Sequence, residues 1–141
     1  MSWWSTGIRE VPIKPAATGP TTTILVRRLP PGSSWWVLGA ATANITLTAP
    51  KALASIASPV TLTGRSTAFE ATVNVLIRQD GTLTPVKQDI VMGGSMGQMG
   101  PFTKAVTFSG PSGRDGAIVL RTISAKDGTT SEATVIRVRF A

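Results

Sequence analysis

Thr72-Val73-Asn74-Val75-Leu76-Ile77-Arg78-Gln79-Asp80-Gly81 is the stretch whose reading decides the fold. Val73, Val75 and Ile77 alternate with Thr72, Asn74 and Arg78. That is the period of a half-buried strand, broken only by Leu76. Asp80-Gly81 then supplies a hairpin turn signal. The same pattern recurs on either side. Asn44–Thr48 alternates and stops at Pro50. Val60, Leu62 and Gly64 face one way, and Thr61 and Thr63 the other. Leu83–Val91 follows the hairpin turn, with Pro85 marking an edge strand or a bulge. Phe102, Lys104, Val106 and Phe108 alternate. Ala117–Ser124 is the most apolar run and is expected at the centre of a sheet. Asp127-Gly128 marks another turn, and Ile136, Val138 and Phe140 alternate with Arg137 and Arg139. Seven short strands at turn-punctuated spacing predict an antiparallel β-sandwich over residues 43–141.

Composition agrees. The chain has 141 residues, enough for one domain with an attached arm. It contains 20 Thr and 12 Val, which favour strands, and 14 Gly and 10 Pro, which make turns. Apolar residues are 42% and mean hydropathy is +0.19, as expected of a chain with a packed core. Only Lys51–Ser58 could turn helically. It is too short to be stable alone and reads as a connector, with one helical turn at most.

Upstream, Thr22–Arg27 and Trp35–Ala40 read as the two strands of a hairpin around Leu29-Pro30-Pro31-Gly32-Ser33-Ser34. Two strands alone are marginal in water, so this hairpin needs a sheet to join. Residues 1–20 show no period and carry Pro12, Pro15, Gly19 and Pro20, so 1–21 read as an extended arm or linker. Residues 22–41 then form an accessory hairpin, or the tail of an upstream domain. Residues 43–141 form the sandwich and the expected minimal folding unit. Trp35 and Trp36 are adjacent and straddle the hairpin, so one is expected buried and the other at a contact.

The residue inventory bears on chemistry. No Cys, His or Tyr is present, which removes thiolate chemistry, the usual general base and the commonest metal ligands. Seven carboxylates are scattered. The chain reads as a non-enzyme with no cofactor and no metal. The net charge of +7 favours anionic surroundings. Yet the basic residues are dispersed, and the only adjacent pair is Arg27-Arg28. Specific nucleic-acid binding is therefore not expected. No apolar run is long enough to span a membrane, and Met1-Ser2-Trp3-Trp4 does not begin a signal peptide.

Candidate contact residues are few. Trp3 and Trp4 lie in the arm, where they either dock on the domain or meet a partner. Met92-Gly93-Gly94-Ser95-Met96-Gly97-Gln98-Met99-Gly100 matches no nucleotide-binding loop, because a Pro and a strand follow it. Met92, Met96 and Met99 could make an adaptable apolar contact. The favoured alternative is a flexible connection whose Met side chains fold back on the core. Phe69, a lone aromatic between Gly64 and an alternating strand, suits a core plug. Gly64 suits a bulge or left-handed turn that tolerates no Cβ.

Ser58-Pro59-Val60-Thr61-Leu62-Thr63-Gly64, Ala68-Phe69-Glu70-Ala71-Thr72-Val73-Asn74-Val75, Gly93-Gly94, Gly100-Pro101-Phe102, Ser124-Ala125-Lys126-Asp127-Gly128 and Val138-Arg139-Phe140 occur in this order. Through them the region from about residue 44 to 140 resembles the immunoglobulin-like domain of bacterial spore germination. Trp35-Trp36-Val37-Leu38-Gly39-Ala40 resembles actinobacterial members in particular. The resemblance implies an immunoglobulin-like sandwich. It also implies a non-catalytic binding or accessory module of the cell envelope, contacting a protein or an anionic wall polymer, with self-association open to it. It implies an extracytoplasmic place if the chain is a fragment of a longer exported protein. No catalytic residue carries over. The sequence departs from the family at Lys51–Ser58, where relatives more often carry a Pro-Gly turn, and in having no signal peptide, lipobox or upstream domain. A second reading is a structural assembly subunit, a filament or virion component, that bridges to a neighbour through the Trp-bearing arm.

Overall fold

In the computed structural model, residues 8–29, 32 and 34–141 are described. They form an all-β sandwich with no α-helix among the described residues. The strands are β1 (Ile8–Ile13), β2 (Thr22–Leu29), β3 (Ser34–Ala41), β4 (Ile45–Ala49), β5 (Ser55–Ile56), β6 (Val60–Ser66), β7 (Thr72–Gln79), β8 (Lys87–Met92), β9 (Gly100–Val106), β10 (Asp115–Ile123) and β11 (Thr130–Phe140). The larger sheet runs β1-β2-β3-β11-β10-β7-β8, and the smaller runs β4-β6-β9. The chain crosses between them at β3→β4, β4→β5, β5→β6, β6→β7, β8→β9 and β9→β10. Such crossings build a sandwich rather than a meander.

The core lies between the smaller sheet and the β11-β10-β7-β8 part of the larger one. Val73, Val75 and Ile77 of β7 meet Ile118 and Leu120 of β10, Val138 and Phe140 of β11, and Ile45, Leu62, Phe102 and Val106 from the facing sheet. The alternation in β7 thus points its valines inward. Leu76, which breaks the pattern, is buried on the opposite face. The seven expected strands appear as β4 and β6 to β11. β10 is central, and β8 is the edge strand that follows Pro85, beginning at Lys87 rather than Leu83.

Several expectations are corrected. Residues 8–13, read as part of an extended arm or linker, form a strand that pairs with β2 along its whole length, from Ile8↔Arg27 to Ile13↔Thr22. Pro12 is tolerated because β1 is an edge strand, where a missing N–H costs little. No helical turn forms in 51–58. Ser55 and Ile56 instead lie parallel to Arg139 and Phe140 of β11, and Ile56 is buried. β3 takes the other half of the same β11 edge, at Ala40↔Val135. The hairpin is bound to the sheet by one register-aligned row of apolar side chains across six strands: Val11, Ile24, Ala40, Val135, Val119 and Leu76.

Phe69 is not a core plug. It is 82% exposed, and Phe102 and Phe140 fill the interior instead. The cause is local. Glu70 (φ 54°) and Ala71 (φ 63°) sit in the left-handed region, and this tight turn swings the Phe69 ring outward. Gly64 is intolerant of a Cβ, but within a regular strand; the register shift lies opposite, between Leu47 and Ala49 of β4. A Cβ on Gly64 would collide with the Thr46 carbonyl oxygen and lie 2.7 Å from Cζ of Phe102. Gly64→Ala is therefore expected to destabilise by about 2–3 kcal/mol, since backbone on one side cannot yield. Urea unfolding measures this; a loss under about 0.5 kcal/mol, the range of an ordinary surface change, would show that the strands separate freely there.

Candidate partner-binding surface

Register places the loops at two ends of the sandwich. β7 begins beside the end of β8, at Thr72↔Met92, and its Asn74 pairs with Arg121 near the end of β10. Loops 67–71, 93–99 and 124–129 therefore share one end. The opposite end holds the Asp80-Gly81 turn and, because β3 runs antiparallel to β11, the Trp35–Trp36 segment.

At the first end, loops 67–71 and 93–99 are stitched together by backbone hydrogen bonds. Gly94 N–H donates to Ser66 (2.8 Å), Ala68 N–H to Gly94 (3.2 Å) and Gly93 N–H to Ala71 (3.2 Å). Gly93 and Gly94 are needed for this closeness: a Cβ on Gly94 would lie 2.5 Å from the Gly100 nitrogen. The glycine-rich segment is thus a knit structural turn rather than a flexible connection. Its tip is Ser95–Gln98, closed by Gln98 N–H donating to Ser95 (2.9 Å). Met96 (φ 53°) and Gly97 (φ 79°) occupy the central positions. Both φ values are positive, as in a type I′ turn, where Asn or Gly is the usual first residue.

The methionines do not fold back on the core as expected. Met96 is 93% exposed, Met92 is exposed at the end of β8, and Met99 is half-buried, its carbonyl accepting from Arg65 (3.2 Å). Phe69 joins them at the same end, a residue that the sequence reading had assigned to the interior. Its signal in the sequence is the Phe-Glu-Ala turn before the β7 alternation. Trp3 and Trp4 lie outside the described residues. Trp35 and Trp36 are 45% and 57% exposed, so neither is buried as expected. The hairpin stands beyond the edge of the smaller sheet, and among the described residues no second layer covers it.

Among the described residues, no three His, Cys, Asp or Glu side chains gather to hold a metal. Asp80 pairs with Arg137. The hydrogen bond from the guanidinium, aided by its charge and opposed by partial burial, holds the Asp80 carboxyl below its usual range; Arg137 is raised in return. Asp127 is lowered by hydrogen bonds from Thr129 within its turn. Asp115–Arg139 and Asp89–Lys104 are further pairs. These are structural bonds between strands and turns. A cleft of about 340 Å³ beside Trp36 is lined by Leu29, Val37, Leu38 and the Asp80–Arg137 pair.

No helix among the described residues is long and apolar enough to cross a membrane. The family model described as "Immunoglobulin-like domain of bacterial spore germination" matches residues 44–129, from the start of β4 to the turn before β11. No curated protein and no solved structure matches the chain.

Proposed function

The chain belongs to the family of immunoglobulin-like domains of bacterial spore germination, and from that membership we propose that it works as a non-catalytic accessory module of the bacterial cell envelope. Its partner on this reading is a protein or wall polymer, held at the loop end of the sandwich. One observation carries the reading. Three non-glycine residues at this end, Glu70, Ala71 and Met96, sit in the left-handed region, while Phe69 and Met96 face water. Left-handed backbone costs roughly 1–2 kcal/mol per non-glycine residue, and such strain clusters at ligand-holding sites. Here it turns apolar side chains outward, the reverse of what stability alone favours.

The test is co-sedimentation of the purified chain with isolated bacterial envelopes. The chain is expected in the pellet. Phe69→Ser combined with Met96→Ser is expected to lower the bound fraction about tenfold or more, as loss of a central apolar contact does. Both side chains are exposed, so folding is unaffected. No co-sedimentation, or binding indifferent to the double substitution, overturns the reading.

A further inference from the structure

The hairpin tip, at the end remote from the stitched loops, is chemically unlike the rest of the surface. Trp35, Trp36 and Val37 are consecutive and 45%, 57% and 57% exposed. Adjacent strand residues point to opposite faces, so the two indoles project from the two sides of one two-stranded tip. Directly across the hairpin stand Arg28, opposite Trp35, and Arg27, opposite Trp36. The Arg28 guanidinium lies over the Trp35 ring at 5.3 Å, and that of Arg9 at 5.8 Å. Among the described residues, neither Arg27 nor Arg28 has a carboxylate partner. Asp80, which lines the cleft beside Trp36, is already paired with Arg137.

We propose that this tip is an interfacial anchor that seats in the headgroup region of an anionic lipid bilayer. A protein partner docks on one face and would leave the other tryptophan in water. A medium that surrounds the tip covers both. Indole is apolar with one N–H donor, which suits the boundary between headgroups and acyl chains. Arginine binds lipid phosphate through paired N–H donors while keeping its cation–π contact with Trp35. This inference goes beyond the envelope reading and is independent of it, because the two rest on opposite ends.

Flotation with vesicles of phosphatidylglycerol or phosphatidylcholine tests it, with tryptophan emission read in parallel. Binding is expected to the anionic vesicles, with a shift of emission to shorter wavelength, and to be weak on the zwitterionic ones. Arg27→Gln with Arg28→Gln should lower the partition roughly tenfold or more, the effect of two headgroup contacts. Trp35→Ser with Trp36→Ser should lower it and reduce the emission shift. Lys51→Gln with Lys126→Gln removes the same charge elsewhere and should change the partition less than about threefold. Four outcomes overturn the proposal: no flotation, equal loss in both charge variants, binding indifferent to the tryptophans, or binding to a soluble polyphosphate as tight as to the vesicles. None of them touches the loop-end reading, whose variants lie elsewhere.

Discussion

Phe140→Ala is expected to cost about 3–5 kcal/mol, the upper range for a core aromatic. The ring is 1% exposed and sits edge-on to Phe108, with centroids 5.8 Å apart and planes at 65°. It also lies against Gly116, where a Cβ would come 3.1 Å from Cζ. The size of the loss depends on whether the walls can move inward after truncation. Here they are held. The Phe140 N–H donates to Arg114 (2.7 Å) and its carbonyl accepts from Gly113 (2.7 Å). Beyond it, Ala141 N–H donates to Ile56 (2.9 Å), fixing β5 alongside. The backbone around the ring is thus pinned on both edges, and the void stays open. Urea unfolding followed by circular dichroism gives the value. A loss below about 1.5 kcal/mol would show that Phe108 swings in to fill the space, as well-relaxed sites do.

The β11 edge explains both what was legible in the sequence and what was not. β10 announces itself as a continuous apolar run because it is buried on both faces, whereas β6, β7 and the alternating half of β11 do so because one face of each is buried by the opposite sheet. Burial on one face is what writes a period of two. Asp80-Gly81 and Asp127-Gly128 mark real turns because Gly81 (φ 80°) and Gly128 (φ 73°) need the conformation that glycine alone takes freely. β1 left no such mark. It is an edge strand outside the sandwich, exposed over Glu10–Ile13, so nothing selects for alternation. β5 is two residues long and exists only because β11 offers an unpaired edge. No local pattern specifies such a strand. The loop end misled in the opposite direction. Phe69 looks like core by residue type, yet the left-handed pair after it decides its direction. Trp35 and Trp36 failed for a related reason: period two gives opposite faces, but not whether a layer covers either one. The methionine loop stands out by its composition, while the close approach of Gly93 and Gly94 to Ser66 and Gly100 is a tertiary fact.

Glu132→Ala is expected to destabilise by about 2–4 kcal/mol, counting one to three for each buried donor left without an acceptor. Glu132 is 7% exposed, an uncommon place for a carboxyl group. The Thr42 hydroxyl donates to its Oε1 (2.6 Å), and the Asn44 amide donates to both oxygens (3.0 and 3.3 Å). Two further bonds lie alongside: Thr134 Oγ1 donates to the Ile45 carbonyl (2.6 Å), and Ala133 N–H donates to Thr22 Oγ1 (3.1 Å). Together they clamp the start of β11 to the passage between the hairpin and β4. Glu132 is thus the hinge pin that fixes where the hairpin leaves the sandwich. Removing its side chain leaves the buried Thr42 hydroxyl without its acceptor and unties the half-buried Asn44 amide. Glu132→Gln keeps one acceptor oxygen and should recover about half of the loss, since hydrogen bonds to a neutral acceptor are weaker. Pairing Glu132→Ala with Thr42→Val isolates the coupling. The double variant should be less destabilised than the sum of the singles by about 1 kcal/mol or more, because the orphaned hydroxyl is removed with its acceptor. Additive losses would mean that Thr42 finds another acceptor and that the clamp rests on Asn44 alone.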